Sequence, residues 1–201
     1  MLKAGLTGSI AVGKTFVCAH LRELGAVVLD ADETAREVVA PKTIGWRKIV
    51  ESFGAGVLQA NGELDRTKLG ASVFASKAKR QILNSIVHPL VVEAQNEWLT
   101  ARESENPDGI AVIDAALMIE SGSYKRFTKL IVVWCKPALQ LERLMFRNNL
   151  SEAEAVRRIN AQMPQEEKKR YADFLIDTSD GFEDTRRQTI EVFEQLKLLT
   201  V

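Results

Sequence analysis

The chain has only two cysteines, two histidines and no excess of either charge. Cys18 and Cys135 lie far apart, with no CxxC companion, so no disulfide framework or zinc-type cysteine site is expected. Each sits in an apolar stretch, which predicts a buried structural thiol in a reducing compartment. His20 and His88 show no metal-ligand spacing. Lys plus Arg number 27 and Asp plus Glu number 27, with no basic stripe, so a nucleic-acid partner is not expected. The cluster Lys168-Lys169-Arg170 stands beside Glu166 and Glu167 and reads as a solvated helix face. No run approaches the ~18 apolar residues of a membrane span. The first residues enter a strand pattern without a signal peptide's charged flank and apolar core. A soluble, cytoplasmic protein with no membrane partner is the expectation.

What is there describes an ordinary globular chain: 201 residues, 46% hydrophobic and 27% charged. A chain of this size buries about 70% of the surface it exposes when unfolded, enough to dispense with staples. Nearly continuous apolar runs at Leu2–Thr7, Ala26–Asp30, Ile110–Asp114, Leu130–Cys135 and Phe174–Asp177 suit parallel strands covered on both faces. Helical patterns separate them: Lys14–Leu24, Pro137–Arg147, a helix from the Ser151/Glu154 capping box to about Gln162, one with Pro164 in its first turn, and Phe182–Leu199. The alternation predicts an α/β doubly wound sheet of about five strands. Between the second and third strands lie about 75 residues without a strand pattern. Helices are expected there at Asp32–Ala40, Thr43–Phe53, Arg66–Phe74, Lys77–Ile86 and His88–Arg102. The domain plan is therefore a core of residues 1–30 and 107–201, with a helical insertion over 31–106.

The sharpest signal is Gly8-Ser9-Ile10-Ala11-Val12-Gly13-Lys14-Thr15, which matches the P-loop spacing G-x-x-x-x-G-K-[S/T]. It follows a strand and opens a helix, where successive N–H groups and the helix dipole favour phosphate. Lys14 can reach the β- and γ-phosphates, and the Thr15 hydroxyl can bind Mg²⁺. β-Branched Val12 resists positive φ, so left-handed residues are expected only at Gly8 or Gly13.

A phosphate cradle is not yet a phosphotransferase. The second strand ends in Asp30-Ala31-Asp32, and ligands gather at the carboxyl ends of parallel strands. Asp32 is the candidate general base for an acceptor hydroxyl, although an acid there would also suit the first turn of a helix. Asp114 ends the third strand and could support Mg²⁺ or serve structure alone. Arg143, Arg147, Arg157 and Arg158 flank Asn148–Leu150. They could stabilise charge on a transferred phosphoryl group or pair with Glu142, Glu152 and Glu154 on the surface. Position after the fourth strand favours Arg143 and Arg147.

Taken together, these segments resemble the dephospho-CoA kinase family, which catalyses the last step of coenzyme A synthesis. The likeness runs nearly end to end. It includes Gly5–Gly8 leading into the P-loop, Val28–Asp32 with Ala35–Val39, Leu64-Asp65-Arg66, Val73-Phe74 and Ile86-Val87-His88-Pro89. It continues through Leu117–Glu120, Arg143 with Arg147, Arg158-Ile159-Asn160-Ala161-Gln162 and Ala172–Asp177. The resemblance implies ATP and Mg²⁺ as cofactors, and transfer of the γ-phosphate to the ribose 3′-hydroxyl of dephospho-CoA. It implies Asp32 as base, Lys14 and Arg143 on the transferring group, and Gly8, Ala11, Val12, Gly13, Lys14, Thr15, Phe16 and Arg147 around the nucleotide. Arg66 and His88 in the insertion would meet the acceptor, Thr15 and Asp114 the metal, and about 143–170 would form a helical lid. The chain departs from the family pattern at Ser9, Ala11, Val12, Phe16, Ala116 and Thr178. Kinases of another small acceptor, such as a nucleoside monophosphate, and nucleotide-dependent switches are the alternatives. A GTP switch would carry an Asn-Lys-x-Asp run, and this chain has none.

Overall fold

The computed structural model describes residues 1–200. They form two compact units, Met1–Asp30 joined by the chain from Ala101 onward, and Ala31–Thr100.

The first unit is built on a five-stranded, wholly parallel sheet. Its strands are β1 (Leu2–Thr7), β2 (Val27–Asp30), β3 (Ile110–Asp114), β4 (Lys129–Trp134) and β5 (Phe174–Asp177), in the order β2-β3-β1-β4-β5. Every predicted strand is present, within one residue at either end. β1 lies at the centre, pairing Leu6 with Asp114 on one side and with Ile131 on the other. Leu6, Val112, Ile131, Val133 and Ile176 are fully or almost fully buried, as a sheet covered on both faces requires. Helices α1 (Lys14–Glu23) and α9 (Phe182–Lys197) pack together over it through Val17, Leu21, Val192 and Leu196. The chain leaves β1 toward one edge and β4 toward the other. The topological switch point therefore lies at the carboxyl ends of β1 and β4, the usual ligand crevice of such sheets.

After β4, α6 (Pro137–Asn148) starts with proline in its first turn and ends at Asn149, whose φ of 49° stops the helix. Ser151 then opens α7 (Glu152–Asn160) with the expected capping box, its side chain and that of Glu154 exchanging bonds with each other's backbone N–H. A short helix, α8 (Gln165–Lys169), follows, with Pro164 one position outside its first turn.

The second unit is helical, as expected. It contains α2 (Ala31–Glu37), α3 (Ile44–Phe53), α4 (Arg66–Phe74) and most of α5 (Lys77–Glu105). Thr43 caps α3 through Trp46 N, and Asp65 caps α4 through Thr67 N and Lys68 N. Val39, Ile49, Val57, Leu64 and Leu69 make its core. One expectation fails here. The two helices predicted on either side of Val87 are a single 29-residue helix that runs through Pro89. Proline removes one hydrogen bond, to the carbonyl of Ser85, but both residues are exposed and water can satisfy that carbonyl. Among the described residues no helix is long and apolar enough to cross a membrane.

Candidate active site

The segment Gly8–Thr15 lies at the carboxyl end of β1 and opens α1. Gly8 is required by close approach: a Cβ there would stand 2.3 Å from the Val133 carbonyl oxygen. Gly13 is left-handed, with φ of 89°. Ala11 is left-handed too, with φ of 62°, against the expectation that glycines alone would take that region. An L-residue there costs about 1–2 kcal/mol. Its methyl is the smallest group that can bear this cost, and the loop on both sides of it is held by hydrogen bonds.

Three of those bonds come from distant side chains. Gln162 Oε1 accepts from Ile10 N at 2.7 Å, and Gln140 Nε2 donates to Ile10 O at 2.8 Å. Ser9 Oγ donates to Met163 O at 3.4 Å. On the far side of Ala11, Thr178 Oγ1 donates to Val12 O at 2.8 Å. Lys14 Nζ folds back to Gly8 O at 3.4 Å, across the concavity of the loop. Thr15 is exposed.

Two adjoining cavities open from this loop. One, of about 310 Å³, is lined by Ala11, Val12, Gly13, Lys14 and Thr15 and by Arg143, Phe146 and Arg147 of α6. The other, of about 180 Å³, is lined by Gly13, Phe16, Arg143, Thr178, Gly181, Phe182 and Thr185. Gly13 and Arg143 belong to both. The rings of Phe16 and Phe182 lie 4.9 Å apart, tilted by 47°, and Phe182 is 70% exposed. Arg143 is held in place by Nη1 to Thr178 Oγ1 and Nη2 to Thr178 O, both 2.9 Å. The fold thus brings Gly8, Ala11, Val12, Gly13, Lys14, Thr15, Phe16, Arg143 and Arg147 around one crevice. Arg157 and Arg158, on α7, are exposed.

Asp114 ends β3, and its Oδ2 accepts from Cys18 Sγ at 3.5 Å. Burial, and then the negative charge of Asp114, push the Cys18 thiol well above its usual range. Both cysteines are free and buried, as their apolar surroundings predicted.

Lys168 departs from expectation. It is not solvated but 1% exposed, and its Nζ donates to Ala116 O at 2.7 Å and pairs with Glu120 at 2.9 Å. Burial pulls its ammonium pKa down, while Glu120 holds it up. Glu120 also accepts from Met163 N at 3.1 Å, and Thr7 Oγ1 donates to Ala116 O at 3.2 Å. The segment after β3 is thereby tied to β1 and to the turn between α7 and α8. Charge patterning along α8 could not reveal this, because the partner lies 48 residues away. Neighbouring Lys169 instead covers the Trp134 ring at 4.0 Å.

In the helical unit, Asp32 is exposed in the first turn of α2, two residues along the chain from the end of β2. Arg66 opens α4, and His88 lies one residue before Pro89 in α5; both are exposed. Sequence reasoning assigned no role to Gln140 or Thr178. Gln162 stands out in the sequence only as a helix end and as the close of the run Arg158–Gln162, and Gln140 lies 130 residues from the carbonyl it binds.

The model of one family, described as dephospho-CoA kinase, matches residues 2–184. A dephospho-CoA kinase of Geobacillus kaustophilus is 46% identical over 196 residues, covering 96% of each chain. Two solved structures, each 28% identical, superpose along the chain. One is TT1252 from Thermus thermophilus, with a TM-score of 0.81 and 97% of each chain covered. The other is the dephospho-CoA kinase from Campylobacter jejuni, with a TM-score of 0.74, covering 99% of this chain and 98% of that one.

Proposed function

The chain belongs to the dephospho-CoA kinase family, and we propose here how its residues divide the work of phosphorylating dephospho-CoA with ATP. The observation that carries the reading is the pair of cavities sharing Gly13 and Arg143. A triphosphate fits the cavity walled by the loop N–H groups, Lys14 and the α6 arginines. The base then falls in the adjoining cavity, against Phe182 and Phe16.

Phosphoryl transfer is mostly positioning and charge stabilisation. Lys14 and Arg143 bracket the γ-phosphoryl group, and Arg147 lies one helical turn beyond Arg143 on the same wall. The 3′-hydroxyl oxygen of the acceptor ribose attacks the γ-phosphorus. Its proton passes to the Asp32 carboxylate, the bond from the γ-phosphorus to the bridging oxygen breaks, and ADP leaves. We assign Asp32 on its place just past a strand's carboxyl end, exposed at a helix start. The helical unit receives the acceptor, with Arg66 and His88 as contacts, and about 143–170 closes as a lid that excludes water.

The Thr15 hydroxyl and the Asp114 carboxylate are hard oxygen donors suited to Mg²⁺. The described residues hold no cluster of three ligating side chains, which suits an ion carried in largely by phosphates and water. When bound, Mg²⁺ neutralises charge on the β- and γ-phosphates. Balanced charge and buried free thiols support a cytoplasmic enzyme whose partners are small molecules rather than nucleic acid. Incubation with ATP, Mg²⁺ and dephospho-CoA tests the reading: CoA and ADP should form together. Phosphorylation of a nucleoside monophosphate in place of dephospho-CoA would defeat it.

A further inference from the structure

We propose that Gln140 and Gln162 are positioning residues that clamp the Ile10 peptide, so that Ala11 stays left-handed and the loop N–H groups stay turned toward the phosphates. The proposal rests on the nucleotide-site reading above and adds to it the device that keeps the loop in its binding shape.

Both polar atoms of the Ile10 peptide bonds that matter here are taken by side-chain amides, one from α6 and one from the turn after α7. Ile10 N donates to Gln162 Oε1 at 2.7 Å, and Ile10 O accepts from Gln140 Nε2 at 2.8 Å. The orientation of Gln140 is itself determined. Its Oε1 accepts from Gln165 Nε2 at 2.8 Å, and Gln165 Oε1 accepts from Cys135 N at 3.0 Å. A flipped Gln140 amide would set oxygen against oxygen at Ile10 and nitrogen against nitrogen at Gln165. Gln140 is 2% exposed, so an unmet amide there would be costly. The chain of bonds therefore has one stable direction, and it ends on the residue before Ala11.

That location matters because Ala11 disfavours the conformation it holds, with φ of 62°. Without the clamp, alanine returns to negative φ for much of the time, and the fraction of loop able to bind falls. Apparent affinity falls by the same factor. Glycine takes positive φ about as readily as negative, so a glycine at this position depends less on the clamp. The loop contacts persist from bound ATP to the transition state, so their loss raises KM and leaves kcat nearly alone.

The test is a double-variant cycle on ATP binding by calorimetry, with melting temperatures and steady-state kinetics alongside. Q162M keeps the side chain's length and removes the acceptor. Against the native Ala11, Q162M should weaken ATP binding about 10-fold, the scale of the left-handed cost at 1.4 kcal/mol per decade. In the A11G background the same change should cost less than about 3-fold, and kcat at saturating ATP should fall less than about 3-fold. Q140M, run in the same cycle, should behave alike. Equal losses in both backgrounds, unchanged affinity, or a fall in kcat with affinity intact would each overturn the proposal. So would failure of both methionine variants to fold, since the glutamines would then determine the fold rather than the loop. If the native chain binds ATP but leaves dephospho-CoA untouched, the enzyme reading fails while the calorimetry still decides the clamp.

Discussion

Arg143 is bound twice to Thr178, through its hydroxyl and its carbonyl, and that same hydroxyl donates to the carbonyl of Val12 inside the phosphate loop. The arginine that faces both cavities and the loop that lines them are thus fixed by one residue of the turn after β5. R143A should lower kcat about 10²–10³-fold, the scale of removing a donor aimed at developing charge. T178V keeps the shape and removes the shared hydroxyl. It should lower kcat/KM about 5–10-fold and melt about 2–4 °C lower, as the loss of a net hydrogen bond implies. Native kinetics in T178V would separate Arg143's position from Thr178.

Asp32 stands at the start of α2, where an acid also favours the helix dipole. Asn at this position can still cap or sit in a first turn, yet it cannot accept the hydroxyl proton. D32N should therefore bind ATP as the native chain does and lose at least about 10²-fold in kcat. Turnover within a few-fold of native would return Asp32 to a helix-start role.

Burial raises the thiol pKa of both cysteines, and at Cys18 the negative charge and hydrogen bond of Asp114 add to it. At pH 8 both thiols should remain protonated as well as shielded. A maleimide or aromatic disulfide reagent should label neither residue in the native chain and both once denaturant is added. Rapid labelling of Cys18 in the folded state would show that the contact with Asp114 is not as described.

Lys168 supplies the third structural test. K168M leaves Ala116 O with Thr7 Oγ1 and Glu120 with Met163 N as the remaining donors, and should destabilise the fold by about 2 kcal/mol, short of the usual 3–5 because both keep a partner and Glu120 remains partly solvated. The sign of the pH effect follows from burial. The folded-state pKa lies below the usual 10.5, so the unfolded chain holds the proton more tightly. Stability from this residue is therefore lowest below the folded pKa and rises as the pH climbs toward 10.5. The gap in stability between native and K168M should widen over that alkaline interval, as read by denaturant titration.

Strands and phosphate loop were legible because their signals are local. Continuous apolar runs name buried parallel strands, and the spacing of Gly8, Gly13, Lys14 and Thr15 is a motif in one stretch of chain. The capping box at Ser151 was readable for the same reason. What escaped depends on contacts between distant segments. The left-handed Ala11 is tolerated because Gln140, Gln162 and Thr178 hold its neighbours, and no local propensity encodes that. Lys168 reads as surface charge until the fold sets Glu120 and Ala116 around it. Proline's usual penalty predicted a break near Val87, yet exposure lets α5 carry Pro89 without one.

The central claim is that this chain moves a phosphoryl group from ATP to one hydroxyl of dephospho-CoA. Phosphorus NMR of purified protein with Mg²⁺, ATP and dephospho-CoA reads that event at the atom concerned. The account predicts a new phosphomonoester on the ribose 3′-oxygen, formed one for one with ADP. ADP accumulating with dephospho-CoA unchanged, or a phosphate placed on any other oxygen, would contradict it.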